Sequence, residues 1–192
     1  MTTIAEKQQP KQPSAASTQE KTQGKNNAPY TFDDPGKEEA RKSEILQTYL
    51  KRANEYWMLS QHFETKKDER VKLLQNAEDE LNYALEINPR SATALHTRSA
   101  VYIELGKLNE AEMDLNLLIE IDPKNDSAYY NLACLYSIAK KLDLSAEALN
   151  AALQNGFRNM KSLRDGPELV ELRKTRKFQQ ILDQNRIFIP GY

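Results

Sequence analysis

The stretch ATALHTRSAVYIELGKLNEAEMDLNLLIEIDPKN, residues 92–125, decides the fold because its pattern recurs on both sides of it. The small residues Ala77, Ala111 and Ser145 are 34 positions apart. The same step relates three further sets: Leu81, Leu115 and Leu149; Ala84, Leu118 and Ala152; and Leu85, Ile119 and Leu153. A period of this length that keeps small and large apolar residues in register is typical of stacked helix–turn–helix repeats.

Turn and cap residues within this unit predict where its helices begin and end. A first helix is expected over 92–105, ended by Gly106, because the left-handed conformation at such an end disfavours a side chain. Asn109 is expected to cap the second helix, as is Asp143 in the next unit. Pro123 stops the second helix, since proline lacks the N–H that a helix interior needs. No segment alternates with period two, so the fold class is all-α.

The pattern resembles the tetratricopeptide repeat family. The middle unit departs from it at Arg98 and Ser99, where the family usually has Leu and Gly. The next unit carries Lys140 and Ser145, where Gly and Ala are usual. The middle unit matches the family at Leu95, Tyr102, Gly106, Ala111, Leu115, Leu118 and Pro123. The resemblance implies a right-handed α-solenoid of three repeats whose first helices line a concave side.

We expect five parts along the chain. They are a disordered tail (1–33), a first repeat with elongated helices (34–90), a second repeat (91–125), a third repeat (126–156) and a helical C-terminal cap (157–192). The tail is rich in Gln, Lys, Ser, Thr and Pro, and it has too few apolar residues to offset the entropy of ordering. Its aromatic residues Tyr30 and Phe32 either pack against the first turn of the next helix as a hydrophobic staple or form a short peptide motif. Such a motif would bind a partner or the protein's own groove.

The first unit has about 12 more residues between its two halves than the others, around QHFETKKDERVKL. We expect this insertion to lengthen both helices by one to two turns, so that the first hairpin projects. Asp34 is expected to cap the first helix, with Pro35 at its first position. Thr65 with Asp68 indicates a capping box for the second. The expected apolar stripes are Ile45, Tyr49, Ala53, Tyr56 and Phe63, then Val71, Leu74, Ala77, Leu81 and Leu85.

The segment GFRNMKSLRDGPELVELRKTRKFQQIL, residues 156–182, resembles the closing segment of many bacterial repeat proteins of this family. A stack needs a terminal unit that covers its last apolar face and shows a polar exterior. The residues expected to cover that face are Met160, Leu163, Leu169, Leu172, Phe178 and Ile181.

Composition narrows the function classes. The formal charge is −1 and there is one cysteine, so neither a nucleic-acid binder nor a disulfide framework is expected. The chain has no long apolar run and no readable signal, so we expect a cytoplasmic protein without membrane insertion.

Charge is uneven along the chain. Residues 68–126 carry 6 basic and 13 acidic groups, whereas 157–192 carry 8 basic and 4 acidic groups. The basic end is either a set of solvated helix faces or a docking surface for an acidic partner.

The resemblance also implies which side chains face the groove between the first helices of the repeats. The candidate peptide-binding residues are Leu50, Asn54, Trp57, Met58, His96, Ile103, Tyr130, Cys134 and Ile138. This set is apolar and aromatic, which suits an extended peptide or a partner helix with hydrophobic anchors. The alternative is that no foreign peptide binds, because the N-terminal tail, the C-terminal FIPGY or a second copy of the chain fills the groove.

Some members of the family grip the acidic C-terminal tail of a chaperone through a clamp of lysine, asparagine and arginine side chains. Of the clamp positions, only Asn54 fits here. Leu50, Thr97, Ser127 and Asn131 occupy the others. We therefore do not expect an acidic chaperone tail to be the partner.

Catalytic and metal roles find little support in the sequence. Cys134 is more consistent with a small buried core residue than with a nucleophile, because no general base lies at a readable spacing. His62 and His96 are too far apart to form a helical ligand pair. Trp57 is either a binding anchor or a residue packed inside the long first hairpin. We expect no enzyme activity, cofactor or metal.

The leading hypothesis is a non-enzymatic protein-interaction module, an adaptor or assembly factor that binds a protein or peptide in the groove. One alternative is a secretion-type chaperone that shields a hydrophobic export substrate. Another is a scaffold that self-associates, so a homo-oligomer stays possible.

Overall fold

The structure is a computed structural model that describes residues 35–62 and 65–189. These residues form helices and connecting turns and contain no strand, which confirms the all-α class. The expected disorder of 1–33, with Tyr30 and Phe32, lies outside the described residues, as does Phe63. The α-helices are α1 Pro35–Ser60, α2 Lys67–Ile87, α3 Ala92–Leu105, α4 Leu108–Ile121, α5 Asp126–Ile138, α6 Leu142–Gln154, α7 Met160–Asp165, α8 Val170–Arg173 and α9 Arg176–Gln184, with a 3-10 helix at Pro167–Leu169.

The first six helices form a solenoid of three antiparallel pairs. Each pair joins consecutive helices, α1 with α2, α3 with α4 and α5 with α6. The pairs stack in chain order, because α2 contacts α3 and α4 contacts α5. Helix α1 also contacts α3, and α3 contacts α5, so these three helices line one side of the stack. The nesting of successive pairs that the 34-residue period predicts is confirmed.

The repeating positions form the core between and within the pairs. Ala77, Ala111 and Ser145 have no exposed surface, which lets the two helices of each pair approach closely. The Ser145 hydroxyl donates a hydrogen bond of 2.7 Å to the carbonyl of Ala133, so the one polar member of this set is satisfied. The leucines one turn further on are equally buried: Leu81, Leu115 and Leu149. Full burial of each leucine contributes about 1.5–3 kcal/mol.

The insertion in the first repeat lies mostly in α2 and in the connecting turn. Ala77 is the eleventh residue of α2, whereas Ala111 is the fourth residue of α4, so α2 gains about two turns at its start. When Trp57 is aligned with Ile103, the end of α1 at Ser60 lies about one residue beyond the equivalent end of α3 at Leu105. The expectation that the insertion also lengthens α1 was therefore wrong. The added length of α1 lies at its N-terminal end, and Ile45, within that region, is 38% exposed.

The first helix of the second and third pairs is capped by a side chain, and the second helix is not. Ser91 accepts from the N–H of Ala94 at 3.4 Å, and Asn125 accepts from that of Ala128 at 2.9 Å. The predicted caps Asn109 and Asp143 were wrong, because α4 and α6 already begin one residue earlier, at Leu108 and Leu142.

The physical reason is the shortness of the turn within each pair. The N–H of Lys107 donates to the carbonyl of Tyr102 at 2.8 Å, and that of Lys141 donates to the carbonyl of Tyr136 at 2.8 Å. These bonds close the first helix of the pair, and the next residue already starts the second.

The expected capping box of α2 was also wrong. The hydroxyl of Thr65 donates to the carbonyl of Leu59 at 3.1 Å, at the end of α1, instead of capping α2. Helix α2 begins after Lys66, which makes no side-chain capping bond. The expected stripe of α2 is buried from Leu74 onward, but Val71 is 39% exposed because it lies in the two added turns.

Two equivalent turn residues provide a test of backbone strain. Gly106 has a φ of 75°, and Lys140, its counterpart in the third repeat, has a φ of 58°. We expect Gly106→Ala to cost about 1 kcal/mol, since no atom crowds an added Cβ and only the left-handed conformation opposes it. We expect Lys140→Gly to gain up to about 1 kcal/mol, because relief of the left-handed conformation outweighs the entropy that glycine loses on folding. Urea unfolding midpoints measure both, and a lower midpoint for Lys140→Gly would contradict this account.

The departure from the family pattern at Arg98 creates a partly buried ion pair within the second repeat. Its guanidinium donates to both carboxylate oxygens of Asp114, at 2.8 and 2.7 Å. A third bond of 2.8 Å reaches the side-chain carbonyl of Asn82 in the preceding pair. Burial lowers the pKa of Arg98, but its bonds to Asp114 outweigh burial and the net pKa is raised. The guanidinium of Arg98 therefore stays charged.

The same position is occupied differently in the other repeats. Arg52 and Glu80 form the equivalent pair in the first repeat, at a longer 3.4 Å, with Arg52 about half exposed. In the third repeat the equivalent residues are Leu132 and Ala148, both buried. One fold position is thus filled by an ion pair twice and by an apolar contact once.

Residues 157–189 cover the last pair. The 3-10 helix and α8 pack on α5, whereas α8 and α9 pack on α6. Met160 is half-buried, and the other residues expected to cover the stack are buried: Leu163, Leu169, Leu172, Phe178 and Ile181. Ile189 is also buried and Phe188 is 80% exposed, while the end of the FIPGY segment lies outside the described residues. The expected resemblance of this cap to bacterial closing segments stays a prediction.

Candidate functional site

Side chains from α1, α3 and α5 meet around a cavity of about 190 Å³ on the side of the stack that these helices line. Four of the predicted groove residues line it: Trp57, His96, Ile103 and Cys134. The remaining lining residues are Ala100, Glu104, Asn131 and Glu168. We refer to this space as the groove cavity.

Trp57 faces the next repeat. Its indole Nε1 donates a hydrogen bond of 2.8 Å to Oε1 of Glu104 on α3. The side chain therefore bridges α1 and α3 and is not enclosed within the first hairpin. Its ring is half-buried, so one part remains available at the groove cavity.

The carboxylate of Glu104 is fully engaged by the first repeat. Arg70 donates to its Oε2 at 2.7 Å, and Gln61 donates to both of its oxygens at 2.8 Å. With the Trp57 bond, these contacts compensate the charge of Glu104 and tie α3 to both helices of the first pair.

His96 is the titratable nitrogen base of the groove cavity. Burial lowers the pKa of His96, and the charge of Asp126 opposes this only in part. The imidazole is therefore neutral near pH 7, where it offers one donor and one acceptor nitrogen.

Tyr130 is held beneath the cap. Its ring stacks on Phe157 with centroids 4.2 Å apart and planes 9° apart. Its hydroxyl donates to the carbonyl of Ser162 at 3.3 Å, and burial raises the pKa of Tyr130. The predicted groove residue Tyr130 thus anchors the cap and does not line the cavity.

Cys134 lines the cavity wall but is only 3% exposed. Burial raises its pKa to about 12, and the charge of Glu168 acts in the same direction. The thiol is therefore neutral near pH 7, as its expected place in the core requires.

Four predicted groove residues lie away from the cavity. Leu50 is half-buried and packs against the core, whereas Ile138 is 42% exposed. Asn54 is exposed and its side-chain nitrogen donates to the sulfur of Met58 at 3.5 Å. Met58 itself is 63% exposed. Their place on the groove surface stays a prediction.

Glu168 is the lining residue that sequence reasoning missed. It lies in the 3-10 helix of the cap, which packs on α5 and so carries a carboxylate to the end of the groove. The 34-residue repeat ends before the cap, so it predicts no position for Glu168. Pro167, which starts this turn, was the one local signal that the chain changes direction there.

Two kinds of feature are absent from residues 35–62 and 65–189. No helix in these ranges has the length and apolar character needed to cross a membrane. Their His, Cys, Asp and Glu side chains form no group of three that could hold a metal ion.

Comparison with solved structures finds similar helical repeat domains. The first TPR domain of Spaghetti (RPAP3), bound to the HSP90 peptide SRMEEVD, has 18% identity and a TM-score of 0.54, with 73% of this chain and 95% of that chain covered. The Arabidopsis OM64 TPR domain has 18% identity and a TM-score of 0.48, over 76% of this chain and 97% of that one. At these identities the similarity shows the fold alone.

Comparison with protein families agrees with the fold. One model described as a tetratricopeptide repeat matches residues 92–125, and a second with the same description matches 115–150. No curated protein sequence matches the chain. Residues 92–150 are therefore similar in sequence to tetratricopeptide repeats, and the stacked helix pairs of the structure have the fold of such repeat domains.

Proposed function

We propose that the chain is a non-enzymatic adaptor or assembly factor that binds a peptide segment of a partner protein in the groove along α1, α3 and α5. The observation that carries the proposal is the groove cavity, where Trp57, His96 and Ile103 converge from two repeats. A cavity lined by aromatic and apolar side chains with a few polar groups is the usual form of a recognition site.

The non-enzymatic part of the proposal has its own support. Cys134 is buried and its pKa is raised to about 12, so little thiolate exists near neutral pH. A nucleophilic cysteine needs a lowered pKa and an accessible sulfur. The cytoplasmic location expected from the composition is part of the same proposal.

The proposal does not extend to acidic peptides of the kind bound by the Spaghetti domain. Leu50, Ser127 and Asn131 stand at clamp positions where a lysine or arginine is required, and Thr97 stands where an asparagine is required. Both charged groups that line the groove cavity are carboxylates, and that of Glu168, which has no ion pair among the described residues, repels an acidic peptide.

Filling the groove cavity tests the proposal. We expect Ala100→Trp to weaken partner binding about tenfold or more, because the added ring occupies space that the peptide needs. The matched control is Met113→Trp, since Met113 on α4 is 72% exposed. Partners cross-linked to the wild-type chain in its native cell are identified, and their affinities for the three proteins are measured by titration.

Circular dichroism confirms that each variant keeps its helices. Equal affinity of Ala100→Trp and wild type for every partner would remove the groove as the site. Loss of binding by Met113→Trp alone would place the site on α4.

A further inference from the structure

One of the two carboxylates that line the groove cavity has no ion-pair partner among the described residues. The charged lining residues of the cavity are Glu104 and Glu168, and His96 is neutral near pH 7. Glu104 is already paired with Arg70. In the part of the chain that the structure describes, no lysine or arginine forms an ion pair with Glu168. Glu168 is therefore the carboxylate of the cavity without an ion-pair contact in that part of the chain, although the charge of Arg173 also reaches Cys134 in the cavity wall.

The cap fixes the position of this carboxylate. Leu169, the next residue, is fully buried, and the N–H of Leu172 donates to the hydroxyl of Ser137 on α5 at 3.4 Å. The stacking of Tyr130 on Phe157 holds the same cap against α5 from its other side. The charge is thus presented from a packed turn and not from a free loop, which lowers the ordering cost of binding to it.

The rest of the cavity suits the stem of a long side chain. Trp57, Ala100 and Ile103 provide apolar walls, and the volume of about 190 Å³ corresponds to about six water molecules. Lysine and arginine combine an aliphatic stem with a terminal cation, so they bury the stem and direct the charge to a carboxylate.

We infer that the partner peptide inserts a lysine or arginine into the groove cavity, with its cation on Glu168 and its stem against Trp57 and Ile103. This inference rests on the proposed function and names the chemistry of its ligand. Charge complementarity favours it, since residues 68–126, which run from α2 to the start of α5, are also acidic, with 13 acidic and 6 basic groups.

Selection from a random-peptide display library on the full-length protein tests the inference. We expect the selected peptides to share a lysine or arginine next to an apolar residue. Synthetic copies should bind Glu168→Gln about tenfold more weakly than wild type, because a charge-assisted hydrogen bond is lost. Replacing the shared lysine by acetyl-lysine, or the shared arginine by citrulline, should cause a similar loss.

The matched control is Glu171→Gln, which removes one negative charge from the neighbouring turn of the cap. Glu171 pairs with Lys174 at 2.6 Å and does not line the cavity. Its variant should bind the selected peptides as wild type does, and loss of binding equal to that of Glu168→Gln would overturn the inference.

The remaining outcomes separate this inference from the proposed function. Selected peptides without a basic residue that bind Glu168→Gln normally but fail to bind Ala100→Trp would overturn the inference and leave the groove in place. Peptides that bind both variants normally, or a selection that enriches nothing, would overturn the groove and the inference together.

Discussion

Asp114→Ala is expected to lower the free energy of unfolding by about 3 kcal/mol, the lower end of the range for buried pairs, because it leaves the partly buried guanidinium of Arg98 without its counter-charge. The side chain of Arg98 is 20% exposed and that of Asp114 is 7% exposed, so water replaces little of the lost interaction. Asn82 keeps one hydrogen bond to the guanidinium but carries no charge. Chemical unfolding followed by circular dichroism measures the loss.

The double variant Arg98→Leu with Asp114→Ala is expected to recover most of that stability. The third repeat shows that leucine and alanine fit this position, since Leu132 and Ala148 fill it there and are buried. Replacing a whole buried ion pair by apolar residues is often neutral or stabilising, whereas removing one partner is not. A double variant that is as unstable as Asp114→Ala alone would show that the ion pair is required for packing.

Phe178→Ala is expected to cost about 3–5 kcal/mol, the usual range for removing a buried phenylalanine. Phe178 is 1% exposed and belongs to α9, which packs on α6. Because a repeat stack depends on its terminal unit to cover the last apolar face, we expect the cap and third pair to open first. Hydrogen exchange of residues 126–189 locates the opening.

Phe188→Ala is the matched control, because Phe188 lies ten residues further along the same segment and is 80% exposed. We expect it to change stability by less than about 0.5 kcal/mol. Equal losses for the two variants would mean that the burial of Phe178 does not hold the cap. Since the cap carries Glu168, Phe178→Ala should also weaken binding of a basic peptide.

The helices of the second and third repeats followed from the sequence because their signals are local and repeated. The first helix of the second repeat was predicted over 92–105 and ends there, with Gly106 in the left-handed conformation that the pattern requires. The apolar residues that recur every 34 positions predicted the core. Each repeat buries these small and large residues against its neighbours.

Local signals failed where two helices compete for the same few residues. Asn109 and Asp143 have the chemistry of caps, but the tight turn within the pair already starts the next helix before them. Thr65 likewise serves the end of α1 and not the start of α2. Which helix a cap residue serves depends on the path of the turn, and that path is set by the packing of the pair.

The sequence by itself determined the repeat, its all-α class and the alignment that brings Trp57, His96 and Ile103 to one side. Periodicity sets which face of each helix is buried in the core, so it also sets which residues lie on the opposite face. Only the tertiary structure decided that Tyr130 anchors the cap and that Glu168 reaches the groove cavity. The cap lies outside the period, so its position depends on long-range packing against α5 and α6, which no spacing along the chain specifies.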